Sequence, residues 1–106
     1  MAFDPDKFED KYVHYFPELQ RAYKRAFEHM NERYDSTLVH AIDQQVLNES
    51  EPFYEPDHPN GPFRIELPEQ AFERLNGVPV AQDQFDAVLD RYVEQLQESL
   101  AHEFLE

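Results

Sequence analysis

From Asp83 to Phe104 the chain repeats a single pattern. Phe85, Val88, Leu89, Tyr92, Val93, Leu96, Leu100 and Phe104 fall at three-and-four spacing, with charged and amide residues between them. That period predicts one long amphipathic helix with an apolar stripe of about 28 Å. Asp83 stands where an N-cap belongs, and Asp86 places negative charge in the first turn, where the helix dipole favours it. The stripe needs a partner surface. Burying each large side chain contributes about 1.5–3 kcal/mol, whereas fixing each residue's backbone costs about 1–2 kcal/mol. Leu19, Ala22, Tyr23, Ala26, Phe27, Met30 and Tyr34 form a second stripe, in a helix expected to begin at Pro17 with Glu18 in its first turn. The two faces are expected to close on each other, with Tyr23, Phe27, Leu89 and Leu96 packed against neighbours.

The remaining segments fill in around this pair. Asp4 can cap a first helix with Pro5 at its first position and Phe3 stapled onto Phe8; Phe8, Tyr12, Tyr15 and Phe16 then make a short apolar face that ends at Pro17. Asp35-Ser36-Thr37 is a capping cluster ahead of Leu38, Val39, Ala41, Ile42 and Val46, which predict a third helix to about Asn48; the β-branched content leaves a strand open. Residues 51–62 are rich in Pro and turn formers, after which Phe63, Ile65 and Leu67 alternate with Arg64 and Glu66 as a half-buried strand. Phe53-Tyr54 is the expected opposite strand, with Asn60-Gly61 near the turn. Pro68 to Leu75 reads as a short helix, closed by Asn76-Gly77 as a left-handed C-cap. A mainly α (α+β) fold follows: a small helical bundle with one short β-hairpin packed on it, residues 1–106 forming a single domain.

Composition adds one strong constraint. The 23 Asp and Glu outweigh 9 Lys and Arg, for a formal charge of −14, while nine Phe and six Tyr argue for a packed core rather than disorder. Such a field repels phosphates and anionic lipid, so direct nucleic-acid and membrane partners are not expected. No apolar run reaches a membrane span and the first residues do not read as a signal peptide, so the expected compartment is cytoplasmic. Asp86, Asp90, Glu94 and Glu98 form an i,i+4 ridge of like charge, each step destabilising by about 0.2–0.5 kcal/mol at low salt. In 1 M salt the Debye length falls to about 3 Å and the penalty largely vanishes. The ridge therefore points to a salt-rich interior ahead of a basic partner or mimicry of nucleic acid.

Reactive chemistry is sparse. The two glycines, Gly61 and Gly77, both sit at turn sequences, so no phosphate-binding loop exists, and without Cys there is neither disulfide nor thiolate site. Ser36, Ser50 and Ser99 read as cap, loop and helix-surface residues rather than nucleophiles. Asp10/His14 and Glu98/His102 at i,i+4, and His40/Asp43 at i,i+3, each offer only two metal ligands, and Glu55-x-x-His58 lies in the proline-rich loop; no cofactor is expected. His40 and Asp43 are expected to project together into solvent, and Glu103, the one acid on the last helix's apolar stripe, to fray into water. Arg21, Lys24 and Arg25 form the only basic cluster, either paired with Glu18, Glu28 and the acidic ridge or serving as a patch for a protein partner or an anion.

Residues 2–20, 38–50 and 87–95 resemble a family of small acidic proteins from haloarchaea, a domain of unknown function. The run Ala41-Ile-Asp-Gln-Gln-Val-Leu-Asn48 is its most specific part, and the likeness extends over nearly the whole chain. The resemblance implies a salt-loving cytoplasm and carries over no catalytic residue. A non-enzymatic interaction module that self-associates or holds an unknown protein partner is the leading expectation. A small metal-dependent or hydrolytic enzyme using the 51–60 loop, with Asp57 and His58, is the alternative. An acidic decoy for a basic nucleic-acid-binding protein is the third.

Overall fold

A computed structural model describes residues 3–59, 61–75 and 77–105. Among the described residues, five α-helices and one hairpin run in the order α1 (Pro5–Phe8), α2 (Lys11–His14), α3 (Phe16–Arg33), α4 (Ser36–Gln45), β1 (Glu51–Tyr54), β2 (Phe63–Glu66) and α5 (Gln82–Leu105). Short 3-10 turns lie at Leu47–Glu49 and Phe72–Arg74. The mainly helical bundle with a single packed hairpin is the architecture expected from the periodicity.

The long helices α3 and α5 make the principal interface. Ala22, Ala26 and Met30 from α3 are fully buried, as are Leu96 and Leu100 from α5, and Leu89 is nearly so. Tyr23 and Phe27 are half-buried and pack on the same core. Ala22 and Ala26, small and wholly buried, leave room for the two helices to pack closely. The segment left open between helix and strand is helix α4. The Asp35 side chain accepts from the Thr37 N–H at 3.0 Å, and Leu38, Val39, Ala41 and Ile42 are all buried. Capping and burial together outweigh the β-preference of the branched residues. The helix stops at Gln45, three residues short of expectation, and Leu47–Glu49 continues as a 3-10 turn.

The hairpin pairs antiparallel with Tyr54 opposite Phe63 and Pro52 opposite Ile65. Phe63 and Ile65 point inward and Glu66 outward, as the alternation predicts. Gln97 Nε2 donates to the Phe63 carbonyl at 3.0 Å and ties β2 to α5. Phe3, ordered ahead of the Asp4 cap, brings the two ends of the chain to the hairpin. Its ring lies 5.6 Å from Phe8, 4.9 Å from Tyr54 and 5.4 Å from Phe104.

Four expectations require correction. The first helix is broken into α1 and α2, with Lys11 and Tyr15 turned inward and Tyr12 and Phe16 turned out. A helix this short is marginal unless tertiary contacts hold it, and here those contacts favour the broken form. The stretch from Pro68 to Leu75 makes only one 3-10 turn, because Gln70 adopts φ 54°, outside helical space. Helix α5 begins at Gln82, so Asp83 lies inside its first turn instead of capping it. Ser99 is buried rather than on the helix surface. Gly61 and Gly77 have φ of +113° and +78°, as their turns require, while Asn60 and Asn76, paired with them in the sequence reading, lie outside the described residues.

Candidate functional site

A cleft of about 450 Å³ opens where α2 and the start of α3 face the end of α4, the following 3-10 turn and β1. Its geometry follows from the break at Tyr15, whose φ −128°, ψ 21° turns the chain between α2 and α3. Pro17, at the second position of α3, needs no hydrogen-bond partner there. The turn carries Tyr12 and Phe16 to the rim, 54% and 48% exposed, beside Val13 at 80%. Leu19, Leu47 and Pro52 supply apolar floor, and Gln20, Gln44 and Asn48 supply amides.

Three polar groups are set into this surface. Ser50 Oγ donates to the Leu47 carbonyl at 2.6 Å and lies 3.1 Å from the Tyr23 hydroxyl. With the serine proton committed to a carbonyl, Tyr23 is the donor of that pair. Burial pushes the Tyr23 phenol up to about 12. Behind it the Tyr92 hydroxyl donates to Asp43 Oδ1 at 3.4 Å. Tyr92 is held well above the usual tyrosine range by burial, then by the neighbouring Asp43 carboxylate. Burial also raises Asp43, against the opposing pull of Tyr92 and His40. The cleft thus presents the Tyr23 phenol, which keeps its proton, and one half-buried carboxylate, with Tyr92 buried behind that carboxylate. Ser50, whose hydroxyl faces the same cleft, spends its proton on the backbone.

The basic residues singled out in the sequence diverge. Arg21 Nε reaches Glu103 Oε1 at 2.8 Å. This corrects the expectation for Glu103, whose side chain is largely covered rather than frayed into water. Lys24 lies 4.0 Å from Glu28 on its own helix. Arg25 lines a separate groove between α3 and α5 with His29, Glu98 and His102. His40 and Asp43 part company. His40 is exposed, its Nδ1 donates to the Ser36 carbonyl at 2.9 Å and its ring stands edge-on to Phe27, whereas Asp43 is half-buried in the cleft rather than solvated. Asp10 and His14 are exposed. Asp57 is exposed at the hairpin end, where the His58 N–H donates to the Glu55 carbonyl at 2.9 Å and Glu55 itself binds Arg64 at 2.6 Å. Among the described residues no group of three or more His, Asp or Glu side chains converges as a metal-binding cluster.

Two features escaped the periodicity reading. Lys11 is buried with its ammonium 2.9 Å from Glu51 and 4.8 Å from the ring centre of Phe53, whose ring also lies 4.8 Å from the Arg64 guanidinium. Tyr23 and Tyr92 were legible only as apolar stripe members. The available signal was that a tyrosine on a buried stripe must find a partner for its hydroxyl. Comparison with known proteins adds one positive finding. The model of a family of unknown function, DUF5783, matches residues 1–105. No curated protein and no solved structure matches the chain.

Proposed function

The chain belongs to DUF5783, a family of unknown function, and we propose that it is a non-enzymatic interaction module working in a salt-rich cytoplasm, with the cleft beside Tyr12 and Phe16 as its binding surface. The observation that carries this reading is the exposure of Tyr12 and Phe16 together at the cleft rim. Large apolar side chains grouped on a surface mark places where something else docks. The salt-rich setting is supported by the placement of the acids. Asp6, Glu9, Glu28, Glu32, Glu49, Glu69, Asp90 and Glu98 are exposed on separate parts of the molecule. Acids spread over many faces fit a protein kept hydrated in molar salt better than a decoy for one nucleic-acid-binding groove.

The rim is small. A stable dimer buries about 800 Å² on each partner, more than two side chains supply, so a short segment of another protein fits the surface better than a full second copy. A Tyr12→Ser/Phe16→Ser double variant tests the reading. Its circular dichroism should match the parent, because both side chains are exposed. In molar KCl the parent, immobilised, should retain a protein that the variant does not, or the parent should sediment as a larger species that the variant loses. A folded double variant with unchanged retention and sedimentation would rule the cleft rim out as the interaction surface.

A further inference from the structure

The chemistry of the cleft narrows the kind of partner. Of the described residues that line it, Asp43 alone carries a formal charge, and three of the others, Tyr12, Phe16 and Tyr23, are aromatic. The nearest lysine, Lys11, is buried and paired with Glu51, so neither adds a net charge to the cleft and Asp43 is the charge a ligand meets there. His40, one turn before Asp43 on α4, is exposed, with Nδ1 held on the Ser36 carbonyl. Aromatic faces beside a half-buried carboxylate are a receptor for an organic cation. The volume of about 450 Å³ lies within the range of sites that enclose a small ligand or a long side chain.

We propose that this cleft receives an arginine or lysine side chain from a basic segment of a protein partner, the cation meeting Asp43 and the aliphatic stem lying between Tyr12 and Phe16. The proposal rests on the interaction-module reading and gives it a chemical identity. A net charge of −14 draws basic segments in general. In molar salt, however, attraction beyond about 3 Å is screened, so the exposed ridge on α5 cannot select one partner. Selection must come from groups in direct contact, and the cleft supplies them in a partly dry setting. Arginine is favoured over lysine, because its planar guanidinium both stacks on rings and pairs with a carboxylate.

The experiment titrates the full chain in 2 M KCl with dye-labelled hexa-arginine and, as the uncharged isostere, hexa-citrulline, following anisotropy and backbone amide shifts. Hexa-arginine should bind at least about tenfold more tightly than hexa-citrulline and shift amides around Tyr12, Phe16, Tyr23 and Asp43. Asp43→Asn and Phe16→Ser should each weaken it by about tenfold, whereas Asp86→Asn/Asp90→Asn on the ridge should leave it unchanged. Melting curves confirm that each variant is folded. Equal binding of the two peptides, or binding that follows the ridge variant instead of Asp43→Asn, overturns the proposal. If Phe16→Ser then still abolishes partner retention or self-association, the interaction module survives without its cationic ligand. If Phe16→Ser changes nothing in either assay, both readings fall.

Discussion

Lys11 illustrates how much one side chain can settle. The side chain is buried, and its ammonium lies among the rings of Phe8, Tyr12 and Phe53 and is held by Glu51. Lys11→Ala should cost about 2–4 kcal/mol in chemical denaturation, through lost packing and an unpartnered Glu51. Lys11→Met, which keeps the stem but not the charge, should recover most of that, because it restores the packing while Glu51, with its side chain 45% exposed, is solvated by water. A Met variant as unstable as the Ala variant would show the charge, not the stem, to be the anchor. Tyr23 makes a prediction about alkali. Its phenol is pushed from 10.0 to about 12, so the folded protein holds that proton more tightly than the unfolded chain does. The corresponding stability is intact below pH 10, declines above it and is gone once pH passes about 12. Tyr23→Phe should lose about 1 kcal/mol at pH 7 with the Ser50 hydrogen bond, yet show a shallower decline between pH 10 and 12. Denaturation midpoints across that window read the difference.

Helix α5 shows periodicity at its most informative. Its stripe is buried from Phe85 to Phe104, with Val93 at the margin. Its outer ridge of Asp86, Asp90, Glu94 and Glu98 is exposed, relieved at one point by Arg91 Nη1, 3.1 Å from Glu94. Asp90→Lys should convert two repulsive i,i+4 steps into attractive ones, a gain of about 0.5–1 kcal/mol in 0.1 M KCl. The gain should vanish in 2 M KCl. Equal gains at both salts would exclude charge repulsion as its source. The first helix shows where period fails. Phe8, Tyr12, Tyr15 and Phe16 read as one face, yet the chain turns at Asp10 and again at Tyr15, and only Phe8 and Tyr15 of the four are buried. Over a dozen residues the local preference for an unbroken helix is weak. Docking Lys11 against the hairpin and Tyr15 against Phe3, Phe8 and Phe104 outweighs it. The Asp4 N–H donating to the Tyr15 hydroxyl at 3.2 Å fixes the result.

Taken together, the elements make an elongated body of 43 × 26 × 26 Å with one continuous core and a heavily acidic exterior. Self-repulsion at −14 opposes compaction at low ionic strength. The melting midpoint should therefore rise by more than about 10 °C between 0.1 and 2 M KCl. Much of that rise should be complete by about 0.5 M, where screening acts, with a slower increase beyond as salt strengthens apolar burial. A flat profile would contradict adaptation to a salt-rich interior. The aromatic cluster joining Phe3, Phe8, Tyr54, Phe63 and Phe104 is far less sensitive to salt, and it closes the chain ends on the hairpin under either condition.

Period, capping residues and turn formers were enough to locate α3, α5 and the two strands, and left 38–48 open between helix and strand, because burial on one face of a regular element leaves its spacing in the chain. The pairing of α3 with α5 followed from the same stripes, each too apolar to stand in water. The cleft left no such trace. Tyr12 and Phe16 looked like core residues, Asp43 like a solvated acid and Lys11 like one lysine among three. Their roles depend on where the backbone turns between α1, α2 and α3 and on which side of β1 they meet. Those choices are made by contacts between segments 30 to 50 positions apart, such as Lys11 with Glu51 and Asp43 with Tyr92. Local spacing carries no record of energies that arise only when distant parts of the chain have already come together.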